Sequence, residues 1–476
     1  MTTTTPISDG RARDGVETTS TSVTTIATPG DASCGIGTYA RDLRAALEDL
    51  EPDRRRERES GATVSGSDGP TTSETPGASG ASGTADGPAV TDEPGRTDGL
   101  TTTDAIDLEQ DYPTAGHFIS IALRAAARDS DVVHVQHEYG LFRRPGSSYP
   151  GLYGLLFFPV LWLATRIRRK ALVVTLHSVL SPAPEEARFA KRCYLLVMHE
   201  LIARVTDHVI FLSSDCEEQF HEDVAQDPTE YSVLPHGVNV RDSSPADRST
   251  ARERFGFDPD DEIVVIPGFV RPPKGHDIFV DVAKQLPDVE FLIAGGARPK
   301  GFDQEFVDEV EADAPSNVTI TGVLDDEEFP MALATADLAL LPYRVVTQSG
   351  TFNWCAAEEL PVLASDRSYF RQIEAEWDAL ETIGLDDTAA IADRVATLLE
   401  DDEQRDALAS GIRTYKEANS FETVAAEHLQ IYRRILAGVP ARRVDDAEGG
   451  TTRIPVEDES MLAACSAQRE ATVSSD

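Results

Sequence analysis

Short, uninterrupted apolar runs recur along the chain, at 132–135, 172–176, 208–212, 231–234, 263–267, 290–294, 318–321, 338–341 and 362–364. Runs of this kind read as strands covered on both faces, because a strand with one wet face alternates apolar and polar residues instead. Segments with helical spacing separate them, 187–205 and 277–285 among them. Near the start, VTTIATPG reads as a strand and turn. A helix over 38–50 follows, with Leu43, Ala46, Leu47 and Leu50 on one side. This order predicts an α/β fold of two doubly wound, Rossmann-like units whose strand ends face each other across a crevice.

Other stretches lack the apolar groups that would repay the entropy of ordering. The expected organisation is a disordered N-terminus over 1–22, a first unit over 23–238, a second over 239–415, a closing helix over 416–438 and a disordered acidic tail over 439–476. Residues 51–103 are rich in Gly, Ser, Thr and Asp and read as a disordered insertion in a surface loop of the first unit. The boundary between the units falls in PHGVNVRDSSP, residues 235–245.

Charge narrows the function. Asp and Glu number 83 against 43 Lys and Arg, only six of them Lys, for a net charge of -40. A nucleic-acid binder needs a basic footprint, so nucleic acid is not an expected partner. Self-repulsion on this scale is tolerable where salt screens it, which points to a salt-rich cytoplasm such as that of a salt-adapted archaeon; a merely acidic mesophilic protein is the plainer alternative. Five dispersed Cys form neither a disulfide framework nor a zinc pattern. No apolar leader stands at the N-terminus, so a cytoplasmic location is expected. The stretch 151–165 is apolar but too short to span a bilayer, and Arg166, Arg168, Arg169 and Lys170 follow it. A buried helix with a basic end and a helix lying on an anionic membrane, with contact over 151–170, are both open.

Seven segments at strand ends share one pattern: SCGIGTYARDL (33–43), DVVHVQHEYGLF (131–142), VVTLHSVL (173–180), VLPHGV (233–238), PGFVRPPKGHDIFVDVAKQLPDVEFLIAGG (267–296), LPYRVVTQSG (341–350) and LPVLASD (360–366). In this order the chain resembles the GT-B glycosyltransferases of family 4, retaining enzymes that use nucleotide-activated sugars.

Candidate site residues follow these segments. Gly35 and Gly37 read as a turn after the first strand, where backbone N–H groups approach an anion; a structural turn explains them equally on pattern alone. The resemblance sets that loop beside the acceptor and the donor phosphates. His137 and His177 end two predicted strands, His137 open between a packing role and a hydrogen bond to a sugar hydroxyl, and His177 between reaching the crevice and tying one loop to another. The resemblance implies that His137 contacts the transferred sugar. Gly237 is expected for its backbone dihedrals at the hinge.

Arg271 and Lys274 sit in the stiff loop GFVRPPKG, where fixed cations would stabilise the charge that grows on a departing diphosphate. Relatives place an arginine where Phe269 stands, so Arg271 is displaced by two positions. Gly295 marks another strand-end turn, and the resemblance sets Val323 against the base. Ser349, Gly350 and Thr351 open a helix whose N–H groups would take the diphosphate without metal. Common relatives carry two glutamates eight positions apart. Here those positions are Val346 and Trp354, which leaves Glu358, or its neighbour Glu359, as the candidate for the ribose.

The resemblance implies a retaining hexosyltransferase with a nucleotide diphosphate sugar as donor, no tightly bound cofactor and no metal. The acceptor stays open among lipid, glycan and small molecule. A non-catalytic GT-B-like binding subunit and a soluble saccharide synthase or phosphorylase are the alternatives. From charge alone, the unfolding midpoint is expected to rise between 0.1 M and molar KCl. Equal midpoints by calorimetry would refute salt adaptation.

Overall fold

The computed structural model describes residues 21–28, 35–50, 101–108, 114–142, 153–180, 189–240, 247–298 and 304–438. The segments 1–20, 51–100 and 439–476, and with them most of the expected disorder, lie outside the described residues.

Two sheets of six parallel strands organise the chain. The first contains β1 (Ser22–Ala27), β2 (Thr101–Asp107), β3 (Val132–His137), β4 (Ala171–Leu176), β5 (His208–Phe211) and β6 (Tyr231–Val233), in the order β2-β1-β3-β4-β5-β6. The second contains β7 (Ile263–Pro267), β8 (Glu290–Ala294), β9 (Val318–Ile320), β10 (Leu338–Leu341), β11 (Val362–Ser365) and β12 (Glu381–Ile383), in the order β12-β11-β10-β7-β8-β9. Every residue of β3, β4, β7 and β10 is buried, which is why these strands read as continuous apolar runs.

Helices cover both faces of each sheet, leaving one apolar layer on either side. One layer of the first sheet holds Phe118, Phe142, Phe157 and Phe158. The other holds Tyr39 and Leu43 from the helix Gly35–Asp49, together with Phe421, Leu429 and Tyr432 from the last helix, Phe421–Ala437. The chain therefore crosses from the first sheet to the second and back again. The crossings are bonded to each other: the Val238 N–H donates to the Asn419 carbonyl at 2.7 Å, and the Phe421 N–H donates to the Val238 carbonyl at 3.0 Å.

Three local readings need correction. Strand β2 begins at Thr101, so the insertion boundary at residue 103 falls inside it. Strand β12 was not anticipated either. Both are edge strands, and their sequences, TTTDAID and ETI, hold no continuous apolar run to announce them. The first helix starts at Gly35, which puts Gly35 and Gly37 in its first turn and not in a turn before it.

Each sheet reverses its strand order once, between β1 and β3 and between β7 and β10. Loops leaving neighbouring strands there diverge to opposite faces and open a crevice. The two crevices face each other and form one cleft.

Candidate active site

The cleft has a volume of about 530 Å³ and is lined from both sheets. Its second-sheet wall is built on the turn Pro272–Lys274 that follows β7. Gly275 takes φ 72°, and a Cβ there would stand 2.1 Å from the Pro342 carbonyl oxygen, so glycine lets this turn press against the end of β10. Arg344 fastens it from outside, donating to Asp277 at 2.8 and 2.5 Å and to the Pro272 carbonyl at 2.8 Å.

Lys274 points into the cleft wall. Its Nζ donates to Thr351 Oγ1 at 2.8 Å and lies 5.2 Å from the centre of the Tyr343 ring. Gly268, at φ 97°, leaves the space, since a Cβ there would come within 2.7 Å of that ammonium. Burial, and then the neighbouring Arg271 charge, push the Lys274 pKa down to about 8. Across the cleft, Glu138 accepts from Ser178 Oγ at 2.7 Å. Burial raises its pKa, while Ser178, nearby backbone N–H groups and Arg271 pull the other way. The helix Gly350–Ala357 opens at the cleft, where Ser349 Oγ caps it by accepting from the Phe352 N–H at 3.1 Å. This cation, this helix start and the facing carboxylate make a site suited to an anion with hydroxyl groups beside it.

The structure brings Gly35, His177, Gly237, Arg271, Lys274, Gly295, Val323, Ser349, Gly350 and Thr351 to the cleft lining. Gly37, His137 and Glu358 do not line it. Gly37 is buried in the first turn of its helix. His137 is fully buried, with its ring 5.6 Å from that of Phe142 and 4.9 Å from that of Tyr139. Alternation along β3 explains this: His137 shares a face with Val133 and Val135, which belong to the aromatic layer, whereas His134 and Gln136 face the opposite side. Burial pushes the His137 pKa down to about 3, so the ring is neutral. Glu358 is the C-cap residue of the helix Gly350–Ala357, one position beyond the lining residue Ala357.

Val346 and Trp354, at the positions counted for the glutamates, both line the cleft; Trp354 meets Phe329 edge-on at 5.4 Å. Sequence reasoning missed Asn353. Its Nδ2 donates to the His236 carbonyl at 2.8 Å, and its Oδ1 accepts from the Tyr415 hydroxyl at 3.1 Å, which joins the second-sheet wall to the first crossing. A polar residue on the inner face of an otherwise apolar helix was the available signal. Among the described residues, no three His, Cys, Asp or Glu side chains group as metal ligands.

The family of group 1 glycosyl transferases matches residues 261–401, which carry the second sheet and the cation loop. In solved structures, HepE from Anabaena with bound UDP superposes with a TM-score of 0.59 at 16% identity, covering 86% of this chain and 99% of HepE. Sucrose-phosphate synthase from Thermosynechococcus elongatus gives a TM-score of 0.59 at 17% identity, covering 88% and 100%. The chain has the GT-B fold, and its second half resembles the group 1 glycosyl transferases. In sequence, D-inositol 3-phosphate glycosyltransferase of Mycobacterium sp. strain KMS is 28% identical over 231 residues, 46% of this GT-B chain and 52% of the relative. The chain thus spans about half the length of the curated relatives it matches.

The Lys274 pKa sets a pH dependence. An anion beside the ammonium favours its charged form, so binding draws a proton wherever the free group is partly neutral, and affinity falls as pH rises past about 8. Calorimetry of inorganic pyrophosphate in two buffers of different ionisation enthalpy should show proton uptake near that pH. Uptake that persists in Lys274→Met would assign the proton to another group.

Proposed function

We propose that this protein is a retaining glycosyltransferase that moves a hexose from a nucleotide diphosphate sugar to an acceptor hydroxyl. The observation that carries this reading is the Lys274 ammonium, lodged against Thr351 beside a helix start in a cleft between two doubly wound sheets. HepE, which has this fold, has been solved with UDP and with UDP and glucose. In the proposed reaction the bond from the sugar's anomeric carbon to the diphosphate oxygen breaks, and a bond to the acceptor oxygen forms on the same face. The acceptor proton passes to a phosphate oxygen, so no carboxylate base is required. Lys274 and Arg271 stabilise the charge that accumulates on the leaving diphosphate, which is greatest in the transition state. A non-catalytic nucleotide-binding subunit is the second reading, favoured by Val346 and Trp354 at the glutamate positions.

Release of nucleoside diphosphate from a panel of UDP-, GDP- and ADP-sugars, with cell lipids and soluble glycans as acceptors, separates the two readings. With the active donor, Lys274→Ala should lower turnover by roughly 30- to 1000-fold, with a smaller loss in Arg271→Ala. Wild-type turnover in a folded Lys274→Ala protein would remove the proposed phosphate clamp.

A lipid acceptor is favoured by the helix Tyr153–Arg168, which leaves Trp162, Leu163 and Ile167 exposed at 37%, 54% and 71%. Val197 and Phe189 on the neighbouring helix are exposed as well. No described helix is long and apolar enough to cross a membrane. Of the four cations after this apolar stretch, Arg166 bonds Asp207 at 2.8 Å and Lys170 donates to the Arg128 and Ser130 carbonyls. Attachment would therefore rest chiefly on the apolar side chains, with Arg168 and Arg169 at the lipid headgroups, on the cytoplasmic face of a salt-adapted cell. Co-sedimentation with anionic vesicles should survive molar KCl and be lost in a Trp162→Ser, Leu163→Ser, Ile167→Ser variant. Wild-type protein left in the supernatant at every salt concentration would favour a soluble acceptor.

A further inference from the structure

The face of β3 opposite His137 carries a buried polar chain that runs from the last helix to the cleft. His177 Nε2 lies 2.8 Å from Gln136 Oε1. Gln136 Nε2 lies 3.4 Å from His134 Nε2, which also meets Thr175 Oγ1 at 2.8 Å. His134 Nδ1 lies 2.7 Å from the Tyr432 hydroxyl. Of these side chains His177 alone lines the cleft, and all five are at least 97% buried.

Proton counting along this chain gives one answer for each orientation of the Gln136 amide. With its amide oxygen toward His177, Gln136 accepts from the His177 Nε2–H, and its own amide N–H donates to His134 Nε2. That nitrogen must then be the unprotonated one, so His134 carries its proton on Nδ1 and donates it to Tyr432. Burial pushes both histidine pKa values well below their ordinary range, so each ring holds a single proton. With its one proton committed to Gln136, His177 keeps a lone pair on Nδ1. The Tyr39 ring packs edge-on to His177, with centroids 4.9 Å apart and planes at 88°, and limits rotation of the imidazole.

We propose that Gln136, itself oriented by His134 and Tyr432, positions His177 as a neutral hydrogen-bond acceptor for a hydroxyl group bound on the first-sheet wall of the cleft. The inference rests on the transferase reading for its ligand, a sugar or acceptor hydroxyl, but the tautomers it requires belong to the unliganded protein. Gln136, His134 and Tyr432 are positioning residues that act through His177. Were the amide reversed, its N–H would donate to His177 Nε2, and His177 would become a donor through Nδ1.

Two-bond proton–nitrogen couplings on the full-length protein with 15N-labelled histidine test this directly, with His177→Phe and His134→Phe assigning the two rings. The expected result is Nε2–H on His177 and Nδ1–H on His134. In Gln136→Leu the His177 tautomer should become mixed, and Gln136→Glu, which keeps an acceptor oxygen, should restore it. A His177 ring protonated on Nδ1 in the wild type, or one unchanged in Gln136→Leu, would overturn the proposal even if the donor panel shows no activity. With an active donor, Gln136→Leu should lower kcat about tenfold while donor KM stays near wild type, and Gln136→Glu should recover most of it. Loss of both donor hydrolysis by water and transfer assigns the hydroxyl to the sugar; loss of transfer alone assigns it to the acceptor. Wild-type rates for both in Gln136→Leu would exclude a positioning role.

Discussion

An ammonium sunk in the wall of a cleft, held by the Thr351 hydroxyl and the Tyr343 ring and crowded by the Arg271 charge, is the most demanding feature of this molecule. Desolvation opposes its charge, and the Lys274 pKa falls to about 8 as a result. Much of the second sheet's loop structure can be read as the means of holding it there. Gly268 clears its path, Gly275 allows its turn to meet β10, and Arg344 ties that turn to Asp277. An anionic ligand would complete the arrangement by supplying the charge that the protein withholds.

The first sheet contributes differently. Its wall presents hydroxyl and imidazole groups, with the Glu138 carboxylate facing the cations. His134 and Gln136 of β3 occupy one face, and the other, His137 included, belongs to the aromatic layer. The result is a division of labour along a single strand: odd-numbered residues such as Val133 and His137 build the core, and even-numbered ones such as His134 and Gln136 lead toward the cleft.

Much of this was legible in the chain itself. Continuous apolar runs announced the interior strands, and glycines at strand ends marked the loops that approach the cleft. The edge strands β2 and β12 were hidden because TTTDAID and ETI carry no such run, whereas the edge strands β6 and β9 were anticipated at 231–234 and 318–321. His137 was misplaced because motif position alone does not say which face of a strand a residue occupies; counting by twos from Val133 and Val135 puts it in the core. Asn353 and Gln136 were overlooked because their roles depend on partners far away in sequence, Tyr415 and His177 respectively.

The return crossing has a consequence for how the molecule is made. The layer of the first sheet that holds Tyr39 and Leu43 is completed by Val424, Leu429 and Tyr432, nearly four hundred residues later. On a ribosome, the second sheet can emerge and fold while the first still shows bare apolar surface on one side. The N-terminal half must therefore wait, partly open, for the last helix to arrive. Slow synthesis or premature termination near residue 420 would leave a chain with one finished half and one exposed to aggregation.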